Sequence, residues 1–305
     1  MGEYLKYSIM GFGSIGTLIA YALNISGYVP YIVVRSELSL KRVLVDPLGN
    51  IHEIRGEIVD LNSDMWIDSD VIIICVKAYD IANLAPMLYS VSERATIVTL
   101  QNGIGSYETV IDIVGNARAA HLVLNHGAYR KDQNVVIWVG GSTSYIGSHG
   151  VPRSILEKIA YDLRILNVKV VEDINSYRWL KLAVNASINP ITAILRSKNS
   201  VIVENQWARL LAEAVVREIQ ELCRVLKIDL PRDPLEEVVA VAKATSNNYS
   251  SMLMDLCEHG RTEIDYINGY IVRESVKRGI RLVANEVLYY LVKAIEIQGV
   301  KCDRG

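Results

Sequence analysis

In the first half of the chain, short apolar runs alternate with helical stretches; in the second half only the helical period survives. Tyr4 to Met10 reads as a strand. After a glycine-rich stretch, Thr17 to about Ser26 carries the helical period, Gly27 closes it, and Tyr28 to Val34 reads as a second strand. Between Arg42 and Asp60, short apolar runs around the turn Pro47-Leu48-Gly49-Asn50 predict a hairpin or short strands. Val71 to Val76 is a continuous, largely β-branched run, as in a strand buried on both faces. A helix over Tyr79–Tyr89 and strands over Thr96–Leu100 and Ala119–Asn125 follow. Val135–Val139 and Thr143–Ile146 predict an antiparallel pair, and Pro152–Leu166 and Val168–Val171 a closing helix and strand. From Tyr177 onward strand signals stop. Helices are predicted over Tyr177–Ser187, Trp207–Leu226, Pro234–Thr245, Ser251–Glu258, Asp265–Arg278 and Asn285–Gln298. The order predicts an α/β domain with a parallel sheet over residues 1–172, then an all-α domain over 173–305.

Length and composition narrow the function classes. The 305 residues suffice for two domains, and half are hydrophobic, so each can bury a core. A net charge of -2 with no basic block gives no reason to expect nucleic acid. The longest purely apolar run, Val71–Val76, is too short to span a membrane, and no secretory signal precedes the first strand. Cys75, Cys223, Cys257 and Cys302 are far apart and form no CxxC pair, which predicts a reduced, cytoplasmic protein without a disulfide frame or a metal site.

Candidate chemistry sits at strand ends and on one helix. Gly11-Phe12-Gly13-Ser14-Ile15-Gly16 lies between the first strand and the first helix, the context that makes G-x-G-x-x-G a dinucleotide fingerprint and the first domain Rossmann-type. Gly11 permits the tight turn, Gly13 lets the backbone approach a pyrophosphate, and Gly16 lets the helix pack close. The second strand ends in Arg35-Ser36 rather than an acidic residue, which suits the 2′-phosphate of NADP; Glu37, one step on, works against it. Lys77 and Asn102 follow two further strands at the ends where open α/β sheets bind ligands, and Asn102 stands beside glycines that leave room for one. His126 is a lone loop histidine with no triad or metal spacing. On the helix Trp179–Pro190, Lys181, Asn185 and Asn189 recur at i, i+4 and i+8, so they share one face about 6 Å apart. They read either as an ammonium proton donor flanked by two orienting amides or as the solvated stripe of an amphipathic helix. Pro190 is expected to kink or end this helix. Ser251 is a natural cap for the helix it begins, and Thr262 for the next. Glu263 reads either as dipole compensation or as a carboxylate facing Lys181 across the domain cleft.

In order along nearly the whole chain, Gly11-x-Gly13-x-x-Gly16, Val76-Lys77-Ala78, Gln101-Asn102-Gly103, Trp179-x-Lys181-x-x-x-Asn185-x-x-x-Asn189-Pro190, Ser250-Ser251-Met252 and Thr262-Glu263-Ile264-Asp265-Tyr266-Ile267-Asn268-Gly269 resemble the ketopantoate reductases (2-dehydropantoate 2-reductases). The resemblance implies NADPH-dependent reduction of 2-dehydropantoate to (R)-pantoate in pantothenate and coenzyme A synthesis. It implies Lys181 as general acid, and Asn102, Asn185, Asn189, Asn199, Asn248, Ser250 and Ser251 as substrate contacts. Arg35 and Lys77 match positions at the 2′-phosphate end of NADP, Ala128 a backbone contact to the cofactor, and Asn102 a place between cofactor and substrate. Glu263 matches an acidic residue near the ribose and the substrate. Asp80 departs from the Gln often found there, and a carboxylate beside a phosphate opposes NADP, so NADH is an alternative donor. Two rivals remain: a reductase of another branched 2-keto acid or an imine, and a non-catalytic NAD(P)-sensing protein. A helical second domain is also a candidate for pairing into a homodimer.

Overall fold

The computed structural model describes residues 4–35 and 42–299; Ser36 and Glu37 lie outside the described residues. The chain forms two compact units, Met1–Gln101 with Ser106–Ile174, and Asn102–Gly105 with Asn175–Gly305. The first unit runs β1 (Tyr7–Met10), α1 (Ser14–Ile25), β2 (Tyr31–Val34), β3 (Val43–Val45), β4 (Ile51–Glu53), β5 (Glu57–Asp60), β6 (Val71–Ile74), α2 (Ala85–Leu88), β7 (Thr96–Thr99), α3 (Ser106–Val114), β8 (Ala119–Val123), β9 (His126–Arg130), β10 (Val135–Gly141), β11 (Ser144–Gly147), α4 (Arg153–Asp162) and β12 (Val168–Val170). Eight strands form one sheet in the order β12-β11-β8-β7-β6-β1-β2-β5, parallel throughout except between β8 and β11. Its side chains alternate between two cores: Ile9, Ile73 and Val98 pack on one face, Met10, Ile72, Ile74 and Ile97 on the other. Burial on both faces is why these strands read as unbroken apolar runs.

A smaller sheet, β4-β3-β10-β9, packs against α1. With sheets on two sides, α1 is buried at every residue from Gly16 to Asn24. The turn at Pro47–Asn50 joins β3 to β4 as an antiparallel hairpin, held by Asp46, whose carboxylate accepts the Leu48 and Asn50 N–H groups. The expected pairing of Val135–Val139 with Thr143–Ile146 does not occur. Instead β10 pairs with β9 and β3, and β11 with β8 and β12. Between them Gly141 passes against Asn125, where an added Cβ would lie 2.3 Å from the carbonyl oxygen, and the chain changes sheet. The expected helix over Tyr79–Tyr89 is a 3-10 segment, Ala78–Leu84, leading into α2.

The second unit is helical: α5 (Ile174–Leu195), α6 (Val201–Glu204), α7 (Gln206–Leu226), α8 (Pro234–Ala244), α9 (Ser251–His259), α10 (Asn268–Val276) and α11 (Val283–Gln298). Its core gathers Leu182, Ala186, Val215, Ile219, Leu253, Ile271 and Leu288. The helix end that Pro190 could have imposed does not occur, since α5 runs through the proline to Leu195. The cap of α9 is Ser250 rather than Ser251: its hydroxyl accepts the Leu253 N–H at 3.3 Å and meets Thr192 Oγ1 at 2.8 Å. Against the expectation of a reduced chain without a disulfide frame, Cys257 on α9 is disulfide-bonded, while Cys75 and Cys223 are free. Cysteine pairing follows distance in the fold rather than spacing in sequence. Among the described residues no helix is long and apolar enough to cross a membrane.

Candidate functional site

The first unit supplies a nucleotide cradle. The order of the large sheet reverses at β1, with β2 on one side and β6 on the other, and ligands of open α/β sheets bind outside strand ends at such a point. Gly11 there has φ +96°, and a Cβ on it would lie 2.8 Å from Val76 Cγ1. A Cβ on Gly16 would lie 2.1 Å from the Gly11 carbonyl oxygen, whereas one on Gly13 would meet nothing within 4 Å. The loop is therefore packed tight from beneath and open above Gly13. The N-terminus of α1 has no side-chain cap and no acidic residue in its first turn, so its backbone N–H groups and positive dipole end suit a phosphate. Phe12 is buried and Ile15 packs on the same core; these residues contribute backbone, not side chains, to the loop, and Ser14 opens the helix.

The sequence reading missed Arg42. Its buried guanidinium donates to the Phe12 carbonyl, stacks over the Phe12 ring with Cζ 4.3 Å from the centroid, and reaches Gln133 O at 3.3 Å. In a trans peptide the C=O and N–H point in opposite directions, so pinning Phe12 O turns the Gly13 N–H away from Arg42. No local motif marks Arg42; the only hint was an arginine entering a strand destined for burial. Arg35 follows β2, and its guanidinium lies 3.8 Å from the Asp80 carboxylate in a partly exposed ion pair. Lys77 follows β6 at the start of the 3-10 segment. Ala128 lies on β9 opposite Trp138. His126 is tied down on both nitrogens: Trp138 Nε1 donates to its Nδ1 at 3.2 Å, which leaves Nε2 to donate to Leu166 O at 3.0 Å. It is a structural histidine.

The second unit holds the polar row. Between Arg178 and Ala193 every residue of α5 is buried except Lys181 and Asn185. The helix is therefore not amphipathic, and the solvated-stripe reading fails: the row is a narrow polar opening in an otherwise enclosed helix. Asn189, one turn further, is buried. Asn185 Nδ2 donates to Asn102 Oδ1 at 3.3 Å, and Asn102 Nδ2 donates to Glu263 Oε2 at 3.0 Å. Both amides are thus oriented from a single carboxylate. Desolvation lowers the Lys181 pKa to about 8, and the opposing charge of Glu263 limits the fall. The expectation that Glu263 would face Lys181 across a domain cleft is corrected, since both belong to the helical unit, as does Asn102.

The glycines beside Asn102 leave no room for a ligand at Gly103. Its φ is +83°, and a Cβ there would lie 2.1 Å from the Tyr266 carbonyl oxygen, which also accepts the Ile104 N–H at 2.9 Å. The turn 263–266 occupies that space, and this contact is what brings Asn102 to Glu263. The Thr262 hydroxyl holds the start of the turn by accepting the Ile264 N–H at 3.1 Å. Asn199 and Asn248 also meet, with Asn199 N donating to Asn248 O at 2.9 Å. Asn199 Nδ2 is taken by Thr245 Oγ1 at 2.9 Å, and Ser251 is exposed at the start of α9.

With this geometry in place, comparison with known proteins is specific. The family described as "Ketopantoate reductase PanE/ApbA" matches residues 7–150, and "Ketopantoate reductase PanE/ApbA C terminal" matches 173–296. The 2-dehydropantoate 2-reductase of Pyrobaculum aerophilum is 35% identical over 291 residues, covering 94% of this chain and 97% of that protein. A probable 2-dehydropantoate 2-reductase from Bacillus subtilis superposes with a TM-score of 0.75 at 29% identity, over 95% of this chain and all of that one (100%). D-mandelate dehydrogenase in a ternary structure with NADH and anilino(oxo)acetate superposes with a TM-score of 0.85 over 96% of this chain and 99% of that one, at 23% identity, which speaks for the fold alone.

Proposed function

The chain belongs to the ketopantoate reductase family, and from that premise we infer that it reduces 2-dehydropantoate to (R)-pantoate with NADPH as hydride donor, the pantoate-forming step of pantothenate and coenzyme A synthesis. The observation that carries this reading is Lys181, with its pKa lowered to about 8, at the polar opening in the buried stretch Arg178–Ala193 of α5 and beside Glu263.

When bound, the reduced nicotinamide supplies the hydride to C2 of the keto acid. The chain does the rest. The Lys181 ammonium donates a proton to the C2 oxygen as negative charge develops there, and a pKa of about 8 leaves it charged at neutral pH yet able to give the proton up. The Asn185 oxygen, the Asn189 amide and the exposed Ser251 hydroxyl hold the substrate hydroxyl and carboxylate so that C2 stays in place, while Asn199, Asn248 and Ser250, whose contacts are within the protein, support that wall. Glu263 orients Asn102 and keeps positive charge on Lys181. The glycine loop, Lys77, Arg35, the backbone at Ala128, Asn102 and Glu263 would hold the cofactor. The test is oxidation of NADPH and NADH with 2-dehydropantoate, followed by absorbance. Turnover supports the reading; cofactor binding without turnover would point to another substrate or to a sensor.

Arg35 is proposed to receive the 2′-phosphate, which must draw it from Asp80. Arg35→Ala is therefore expected to raise KM for NADPH by about tenfold, the scale of one charge-assisted contact, and to spare NADH. Equal effects on both cofactors would remove the phosphate role. A cytoplasmic location and a homodimer complete the proposal. Trp207, Leu210 and Leu211 lie on one face of α7 and are 71%, 54% and 37% exposed, an apolar cluster suited to a second copy. Sedimentation is expected to give a dimer that Leu210→Glu weakens; a monomer at all concentrations would refute it.

A further inference from the structure

Pro190 has no N–H, so the Ala186 carbonyl four residues earlier has no partner in the α5 ladder. The helix nevertheless continues to Leu195. Asn268, fully buried at the first position of α10, donates from Nδ2 to Ala186 O at 3.2 Å and to Asn285 Oδ1 at 3.1 Å. Asn285 Nδ2 in turn donates to Glu218 Oε2 at 2.8 Å, and Glu218 also accepts the backbone N–H groups of Ala284 at 2.8 Å and Asn285 at 3.0 Å.

The direction of every bond in this chain is fixed from one end. An ionised carboxylate only accepts. Glu218 therefore sets the Asn285 amide, Asn285 presents its oxygen to Asn268, and Asn268 must present its nitrogen to Ala186. The Asn268 oxygen is left buried with no partner, a cost that persists only if the donor side is needed.

We propose that Asn268 is a positioning residue for the reduction: its amide replaces the hydrogen bond that Pro190 removes and thereby fixes the Glu263 turn against the row Lys181, Asn185, Asn189. The placement carries this. Ala186 follows Asn185 directly and lies three residues before Asn189. Asn268 follows the turn Ile264–Tyr266 that Glu263 begins. One fully buried amide thus joins the element bearing the carboxylate to the element bearing the proton donor. For its kinetic consequences the proposal rests on the reading given above; for its stability consequences it does not.

The test is a double-mutant cycle on the full chain with Asn268→Ala and Pro190→Ala. In the Pro190→Ala background residue 190 has its own N–H for Ala186 O, so Asn268 becomes partly dispensable. Asn268→Ala alone is expected to lower Tm by about 3–8 °C and kcat/KM for 2-dehydropantoate by about tenfold or more. It is also expected to shift the pH above which kcat falls, because Glu263 moves relative to Lys181. In the Pro190→Ala background both losses shrink by half or more. Equal losses in the two backgrounds overturn the proposal. A Tm coupling with kcat/KM and pH profile unchanged overturns the positioning role and leaves a structural amide. If Asn268→Ala does not fold alone, folding of the double variant supports the proposal and its failure to fold overturns it. A wild-type chain inactive on 2-dehydropantoate would refute the functional reading while the Tm cycle still reports on the pairing of Asn268 with Pro190.

Discussion

Lys181→Ala is expected to lower kcat by about 10²-fold or more, the range for loss of a positioned general acid. Cofactor affinity, followed by nicotinamide fluorescence, should hardly change, and KM should rise less than kcat falls, because the proton is needed in the transition state more than in the bound ground state. The pH profile carries the same assignment with a definite sign. The donor is the protonated ammonium, present below about 8 and lost as pH rises through that value, so reduction should fall on the alkaline side. Burial alone would push this fall lower, and the Glu263 charge holds it up. Glu263→Gln should therefore move the fall to lower pH, while Lys181→Ala should remove it. Near wild-type turnover in Lys181→Ala would end the assignment, and a Glu263→Gln profile that does not move would dissociate the carboxylate from the lysine.

Much of this site could be read before any coordinate, because its signals are local. The spacing of Lys181, Asn185 and Asn189 is a helical period, and the glycine loop has its meaning from the strand before it and the helix after it. What remained hidden depends on contacts between residues distant in sequence. Pro190 predicts a helix end by local rules, yet α5 continues through it, and the Ala186 carbonyl takes a hydrogen bond from Asn268 on another helix. Asn102 and Glu263 are separated by 161 positions and meet through a hydrogen bond that no spacing encodes. Arg42 carries no motif and acts through a carbonyl of the glycine loop. The strands Val135–Gly141 and Ser144–Gly147 lie next to each other in sequence, but each completes a different sheet. Their alternation fixes that they are strands, not which neighbours they take.

Those two limits meet at Gly103, where a glycine that seemed to make space for a ligand is instead filled by protein. Gly103→Ala is expected to destabilise the chain by about 3 kcal/mol or more and to abolish most turnover even where the variant folds. Two terms act together. A φ of +83° disfavours any side chain, and the new Cβ would lie 2.1 Å from the Tyr266 oxygen and 2.5 Å from its carbonyl carbon. That neighbour is backbone, so no rotamer can relieve the contact; the loop 102–105 must part from the turn 263–266. Separation breaks the Ile104 bond to Tyr266 and draws Asn102 from Glu263, so the Asn185 orientation and the carboxylate beside Lys181 are lost together. Gly279→Ala isolates the backbone term. Its φ is +68°, but a Cβ there meets nothing within 4 Å, so it should cost about 1 kcal/mol and leave kcat unchanged. Urea midpoints and kcat for both variants decide the matter. If Gly103→Ala is no worse than Gly279→Ala, the Tyr266 carbonyl does not hold that position and the link from Asn102 to Glu263 has another origin.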